Sequence, residues 1–189
     1  MGSPSSRKEE TRRKLIDASR AIAKENGFAA TGIDTLMASI GLTGAAFYNH
    51  FPSKQALFDA VVSEEAAHSA DRLAGDGDLS DGDLARRLRS YLSMEHVTHP
   101  DLGCALPALG AEIARATPEA RAEVEKSLKQ IQQAWATRAD DPEAAWAVMA
   151  QCVGALLLAR TVESERTRRE ILASSRRLLG TALDLTELK

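Results

Sequence analysis

The stretch that decides the fold is Ile40-Gly41-Leu42-Thr43-Gly44-Ala45-Ala46-Phe47-Tyr48-Asn49-His50-Phe51-Pro52-Ser53-Lys54. Leading into it, Ile33, Leu36, Met37 and Ile40 recur at i, i+3, i+4 and i+7, an apolar helical face only two turns long. Gly41 breaks that helix. Thr43 is a suitable cap for a second short helix, Gly44 to about His50. Phe51-Pro52 ends it, because the residue before a proline avoids the helical region. Two short helices about a tight glycine turn have the form of a helix-turn-helix. A generic three-helix core with an incidental glycine fits the same pattern, so on shape alone both readings stand.

The flanks extend the pattern. Upstream, Leu15, Ala18, Ser19 and Ile22 share one stripe of a helix expected from about Glu9 to Asn26, stopped by Gly27. Thr31 is expected to cap the helix that opens the pair, with Asp34 as a capping-box partner. Downstream, Ser53 caps a fourth helix whose buried face is Leu57, Phe58, Val61 and Val62. An Asp/Gly-rich linker follows, Ala74 to Asp78 and Ser80 to Asp83. It lacks the spacing and the terminal glutamate of an EF-hand loop, so calcium is not expected. Five further helical segments are expected: about 83–98, about 102–116, from Thr117-Pro118 to about Arg138, from Asp141-Pro142 to about Val162, and about Glu165 to Leu185. The fold class is all-α, about nine helices, divided into an N-terminal three-helix domain over 1–53 and a C-terminal helical domain over 54–189.

Composition agrees. Hydrophobic residues make up 44% of the 189 and charged residues 27%, as in folded soluble chains, and aromatics only 4%. Net charge is −3, yet residues 1–60 hold eight Lys/Arg against six Asp/Glu, leaving the remainder at −5. A polyanion partner should therefore meet the N-terminal third, where Arg7, Lys8, Arg12, Arg13 and Lys14 cluster. The longest apolar run, Val153–Ala159, is interrupted by Gly154 and followed by Arg160, so no membrane segment and a cytoplasmic location are expected. Cys104 and Cys152 form neither a disulfide framework nor a CxxC motif. No P-loop, GxSxG, HExxH or GxGxxG is present, so no enzyme, cofactor or metal is expected.

Residues 11–62, above all Gly41-Leu42 through Phe47-Tyr48-Asn49-His50-Phe51-Pro52-Ser53-Lys54 and Leu57-Phe58, resemble the DNA-binding domain of the TetR family of bacterial transcriptional regulators. The resemblance implies a homodimer on an inverted-repeat, double-stranded DNA operator, released by a small-molecule effector, usually with repression as the output. Within it, Tyr48 matches a position that the family uses on phosphate. Ala45 and Ala46 stand where many members carry larger or polar side chains, so the recognition helix is thin in base-reading groups.

The candidate DNA contacts are Thr31, Thr43, Gly44, Ala45, Tyr48, Asn49, His50 and Lys54. The threonines offer a hydroxyl beside free N–H groups at helix starts, a phosphate site. Gly44 and Ala45 are small enough for close approach to base edges. Lys54 can reach the backbone across the groove, and Arg7, Lys8 and Arg12 can form an arm. Phe47 and Phe51 are read as core.

For the effector, candidates for an apolar cavity between helices are Leu88, Tyr91, Leu92, Cys104, Leu106, Leu109, Trp135, Trp146, Met149 and Val153, with Tyr91, Glu95, His96, Glu112 and Gln151 as polar neighbours. Each apolar one reads first as plain core and second as pocket wall. A mostly apolar effector with one or two anchors follows. The dimer seam is placed on the last two helices: Gly154, Ala155, Ile171, Ser175, Leu178 and Ala182, unless that seam only closes the monomer. Rival readings of the same scaffold are a metal sensor through His96, His99, Cys104 and Glu95, a thiol redox switch at Cys104 or Cys152, and a helical adaptor without DNA binding.

Overall fold

The structure, a computed structural model, describes residues 4–74, 80–139, 142–185 and 188. Among them lie nine α-helices, two 3₁₀ helices and no strand. The α-helices are α1 (Pro4–Asn26), α2 (Ile33–Ala38), α3 (Lys54–Ala74), α4 (Asp81–Tyr91), α5 (Met94–Thr98), α6 (Leu106–Ile113), α7 (Pro118–Ala139), α8 (Pro142–Thr161) and α9 (Glu165–Ala182). The 3₁₀ helices are Gly44–Asn49 and Pro100–Leu102.

Most boundaries follow the local chemistry. Gly27 closes α1 with φ +79°, the left-handed conformation that glycine enters without a Cβ clash. Gly41 turns the chain after α2 in the same way, at φ +74°. The Ser53 hydroxyl accepts from the Ala56 N–H at 3.0 Å, and that of Thr117 accepts from Ala120 at 3.3 Å.

Other boundaries differ from the sequence reading. Helix α1 begins at Pro4, about one turn earlier than expected. Thr31 does not cap α2. The cap position is Gly32, with no side-chain bond, and the Thr31 hydroxyl donates backward to the Gly27 carbonyl at 2.8 Å. The segment expected over 83–98 is two helices, because Leu92 leaves the helical region and the Ser93 hydroxyl caps a fresh start at His96 N–H. Pro100 likewise opens a 3₁₀ turn ahead of α6, whose first turn holds Pro107. Residues 75–78 of the expected linker and the expected Asp141 cap lie outside the described residues.

Two apolar cores organise the chain. The first joins Leu15 and Ile16 of α1, Leu36 and Met37 of α2, Phe47, Phe51, and Leu57 to Val62 of α3. It continues into Leu109 and Ile113 of α6 and Val124 of α7. The second joins α4, α5, the far half of α7, α8 and α9. Helix α3 runs through both. Helix α8 is long and apolar enough by composition to cross a membrane, but Ala145, Val148, Cys152, Leu156 and Ala159 are buried inside the second core. Its outer side carries Leu157 and Leu158, and α9 adds Leu178; all three are half exposed or more.

Candidate nucleic-acid interface and internal cavity

The 3₁₀ helix Gly44–Asn49 has two unlike sides. Phe47 is fully buried and stacks at 6.1 Å on Phe51. Tyr48, edge-on to Phe47 at 5.3 Å, is 65% exposed. Thr43, Ala45 and Asn49 are exposed beside it, and the Thr43 hydroxyl makes no capping bond, so it is free to donate outward. His50 is half buried, with Nδ1 shielded and unpartnered.

Three of the expected contacts are placed differently. Thr31 is buried, and its hydroxyl is committed to Gly27. Lys54 Nζ donates to the Ala29 carbonyl at 3.0 Å and lies 5.1 Å over the Phe28 ring, tethered beside the α1–α2 turn. A Cβ on Gly44 would fall 1.9 Å from Asp34 Oδ1, so the missing side chain leaves room for that carboxylate. Arg12, on α1, sits 4.5 Å above the Phe51 ring, which fixes one cation of the basic start beside the exposed element. No Lys or Arg lies between Lys24 and Lys54.

Helix α1 and the turn after it are fastened to α3, α6 and the Gly103 segment by buried polar groups that sequence reasoning missed. Glu65 of α3 is 2% exposed. Its Oε1 is 2.7 Å from Arg20 Nε, and Lys24 Nζ is 3.2 Å away, both cations belonging to α1. Lys24 also donates to the Gly103 carbonyl at 3.1 Å. Burial lowers the Lys24 pKa, and the Glu65 charge opposes that shift. Glu112 of α6 accepts from the N–H groups of Phe28 and Ala29 at 3.1 and 2.7 Å, closing the α1–α2 turn. The available signal was a charge inside an apolar stripe: Glu65 follows Leu57, Val61 and Val62 on the buried face of α3.

An apolar cavity lies behind Glu65. Six of the ten expected residues line it: Tyr91, Cys104, Leu106, Trp135, Met149 and Val153. Leu88, Leu92 and Leu109 are plain core, and Trp146 is 42% exposed on the outside of α8. Its free space is about 40 Å³, room for a few waters. Trp135 donates from Nε1 to the Leu73 carbonyl at 3.0 Å, which fixes one wall.

His96 closes the site toward Gly103. Its Nε2 accepts from the Cys104 N–H at 3.0 Å, which leaves Nδ1 protonated and donating to the Tyr91 carbonyl at 2.8 Å. Burial lowers its pKa to about 4. Both ring nitrogens are thus occupied, while His99 Nδ1 faces the Glu95 carbonyl, so the pair does not converge on a metal. Among the described residues no three His, Cys, Asp or Glu cluster as ligands. Burial pushes the Cys152 thiol up to about 12, a poor nucleophile.

Of the expected dimer seam, Ala155 and Ser175 are buried within the protomer, and Ser175 Oγ accepts from Gln151 at 3.0 Å. Ile171 packs against the second core. Gly154 has open space where a Cβ would stand, and Leu178 and Ala182 face outward. The exposed Leu157 and Leu158 were not foreseen.

A glycine-turned helix pair on a small head, packed through α3, α6 and α7 against a larger helical body with an internal cavity, defines the class: a helix-turn-helix fold. The family profile described as "Bacterial regulatory proteins, tetR family" matches residues 15–61. Over that segment the chain is similar to this family. The transcriptional regulator UidR of Escherichia coli K12 is 33% identical over 55 residues, 29% of this chain. That match spans only 28% of the length of the curated relative. Solved structures extend the likeness over both cores. A TetR-family regulator from Pectobacterium atrosepticum is 25% identical, with TM-score 0.67, 96% of this chain and 98% of that one covered. Reduced NemR of E. coli, at 21% identity, superposes with TM-score 0.71 over 89% of this chain and 96% of its own.

Proposed function

We propose that the protein is a cytoplasmic, effector-responsive transcriptional repressor that binds an inverted-repeat operator as a homodimer. Residues 1–53 meet the duplex, and residues 54–189 sense the effector and dimerise. The observation that carries this reading is the outward display of Thr43, Ala45, Tyr48 and Asn49 on an element anchored from behind by fully buried Phe47. Tyr48 and Thr43 donate to phosphate, and Ala45 lies against base edges. The exposed leucines of α8 and α9, with the open position at Gly154 on α8, supply the apolar face for a partner copy in a four-helix bundle.

Release follows from shared walls. The cavity is too small for an organic effector without expansion. Glu65 and Cys104 line it, and the same carboxylate, with the neighbouring Gly103 carbonyl, holds α1. An effector that pushes these segments outward shifts the heads. A coupling of about 1–3 kcal/mol lowers operator affinity about 5- to 150-fold.

The test is selection of bound genomic fragments, followed by mobility shift with the wild type and Tyr48→Ala. Retained fragments should carry an inverted repeat and be lost with the alanine variant. Failure to retain any fragment counts against the reading and favours an adaptor.

A further inference from the structure

A second cavity, about 480 Å³, opens between the C-terminal end of α3, the α4 helix, α5 and the Pro100–Leu102 turn. It shares Leu73, Tyr91 and Cys104 with the apolar cavity, so the two lie on either side of a common wall. Their chemistry differs. The outer one is lined by Arg72, Arg86 and Arg87 against the single carboxylate of Glu95. Arg72 Nη1 donates to the Leu102 carbonyl at 2.9 Å, and Arg87 Nη1 donates to the carbonyl of Arg72. Both guanidinium groups are thereby folded along the groove by backbone bonds. Neither is paired with a carboxylate among the described residues, whereas Arg86 has Asp83 at 3.0 Å. A guanidinium carries five N–H donors, so most of those on Arg72 and Arg87 are left for a ligand.

We infer that the effector is an organic acid with an apolar body: its anionic head binds between Arg72 and Arg87 in the outer groove, and its body presses through the Leu73–Tyr91–Cys104 wall into the inner cavity. This rests on the effector reading above and adds the ligand's charge and entry side. The 480 Å³ groove holds the head and the proximal body without rearrangement. Only the distal body has to widen the inner space, and it does so against the Cys104 segment, whose neighbouring Gly103 carbonyl is bonded to Lys24 of α1. A neutral molecule of the same shape gains nothing from the arginines.

The experiment uses the full chain without DNA, carrying Trp146→Phe in all versions so that the fluorescence is that of Trp135, a wall residue of the inner cavity. Probes are decanoate and 4-phenylbutyrate, each against its matched alcohol and amine. The expected result is at least ten-fold tighter binding of the acids. In Arg72→Gln/Arg87→Gln that preference disappears, while alcohol binding is unchanged and reports that the variant is folded. Equal binding of acid and alcohol by the wild type, no binding of any probe to 1 mM, or a preference that survives in the variant overturns the inference. Repeating the titration on an operator complex separates the two readings. Acid binding with discrimination but no DNA release contradicts the regulatory reading alone; release by neutral compounds only contradicts the inference alone.

Discussion

Replacing Glu65 by glutamine tests how the head is held. Oε1 lies 2.7 Å from Arg20 Nε and 3.2 Å from Lys24 Nζ, with Glu65 2% and the Lys24 side chain 5% exposed. At an effective dielectric constant of about 20 these contacts are worth about 6 and about 5 kcal/mol before desolvation. Most of that is offset by taking three charges out of water. What the substitution exposes is the remaining imbalance: two cations on α1 with no anion between them. Breaking a buried ion pair from one side costs about 3–5 kcal/mol. For a chain of this length that lowers Tm by about 6–20 °C. Urea denaturation at one fixed protein concentration is the assay, so that any self-association weighs equally on both proteins. A loss below about 1 kcal/mol refutes the argument that Glu65 is the anion of a closed network. The sign with pH is also fixed. Without Glu65, burial, helped by the Arg20 and Arg72 charges, holds the Lys24 pKa below its ordinary 10.5. The unfolded chain then binds more protons, so the variant gains stability as pH rises from the folded value toward 10.5. Replacing all three, as Arg20→Met/Lys24→Met/Glu65→Leu, should restore near-native stability, since the cost belongs to the unpaired charges.

Further outcomes follow from the same geometry. His96, held neutral at a folded pKa of about 4 against an ordinary 6.5, should make stability fall as pH drops from 6.5 to 4. The loss reaches about 3 kcal/mol at most, less with solvent screening, and His96→Gln should flatten that part of a pH-dependent melting profile. Gly103→Ala places a Cβ 2.0 Å from His96 Nε2 and should lower Tm by expelling the ring, with the Cys104 N–H bond lost in amide exchange. Tyr48→Ala should weaken operator binding about ten- to a hundred-fold with unchanged Tm, read by mobility shift, since hydrogen bonds to charged groups are worth about 1.5–3 kcal/mol. Leu158→Glu/Leu178→Glu should yield a monomer by light scattering if their exposed faces meet a partner copy.

Local signals were enough for the outline of this fold. Apolar periodicity, Gly27, Gly41, Ser53 and Thr117 each act within about four residues, so they read directly as helix faces and ends. The burial of Phe47 against the exposure of Tyr48 was legible for the same reason. The break at Leu92 was not, because residues 83–98 keep their helical pattern across it and only packing chooses between one helix and two. The cavity was legible in part, since periodicity says that a side chain is buried but not whether it meets a neighbour or a void: Tyr91 and Trp135 line the space, whereas Leu88 and Leu92 only fill the core. Least legible were the polar ties. Glu65 meets Arg20 and Lys24 from more than forty positions away, and Glu112 reaches the Phe28 turn from more than eighty. The sequence by itself determined the helices, the glycine turn and the exposed face of the head. The tertiary structure decided which charges are buried together and where the cavities open, because those depend on contacts between segments whose separation in the chain carries no local pattern.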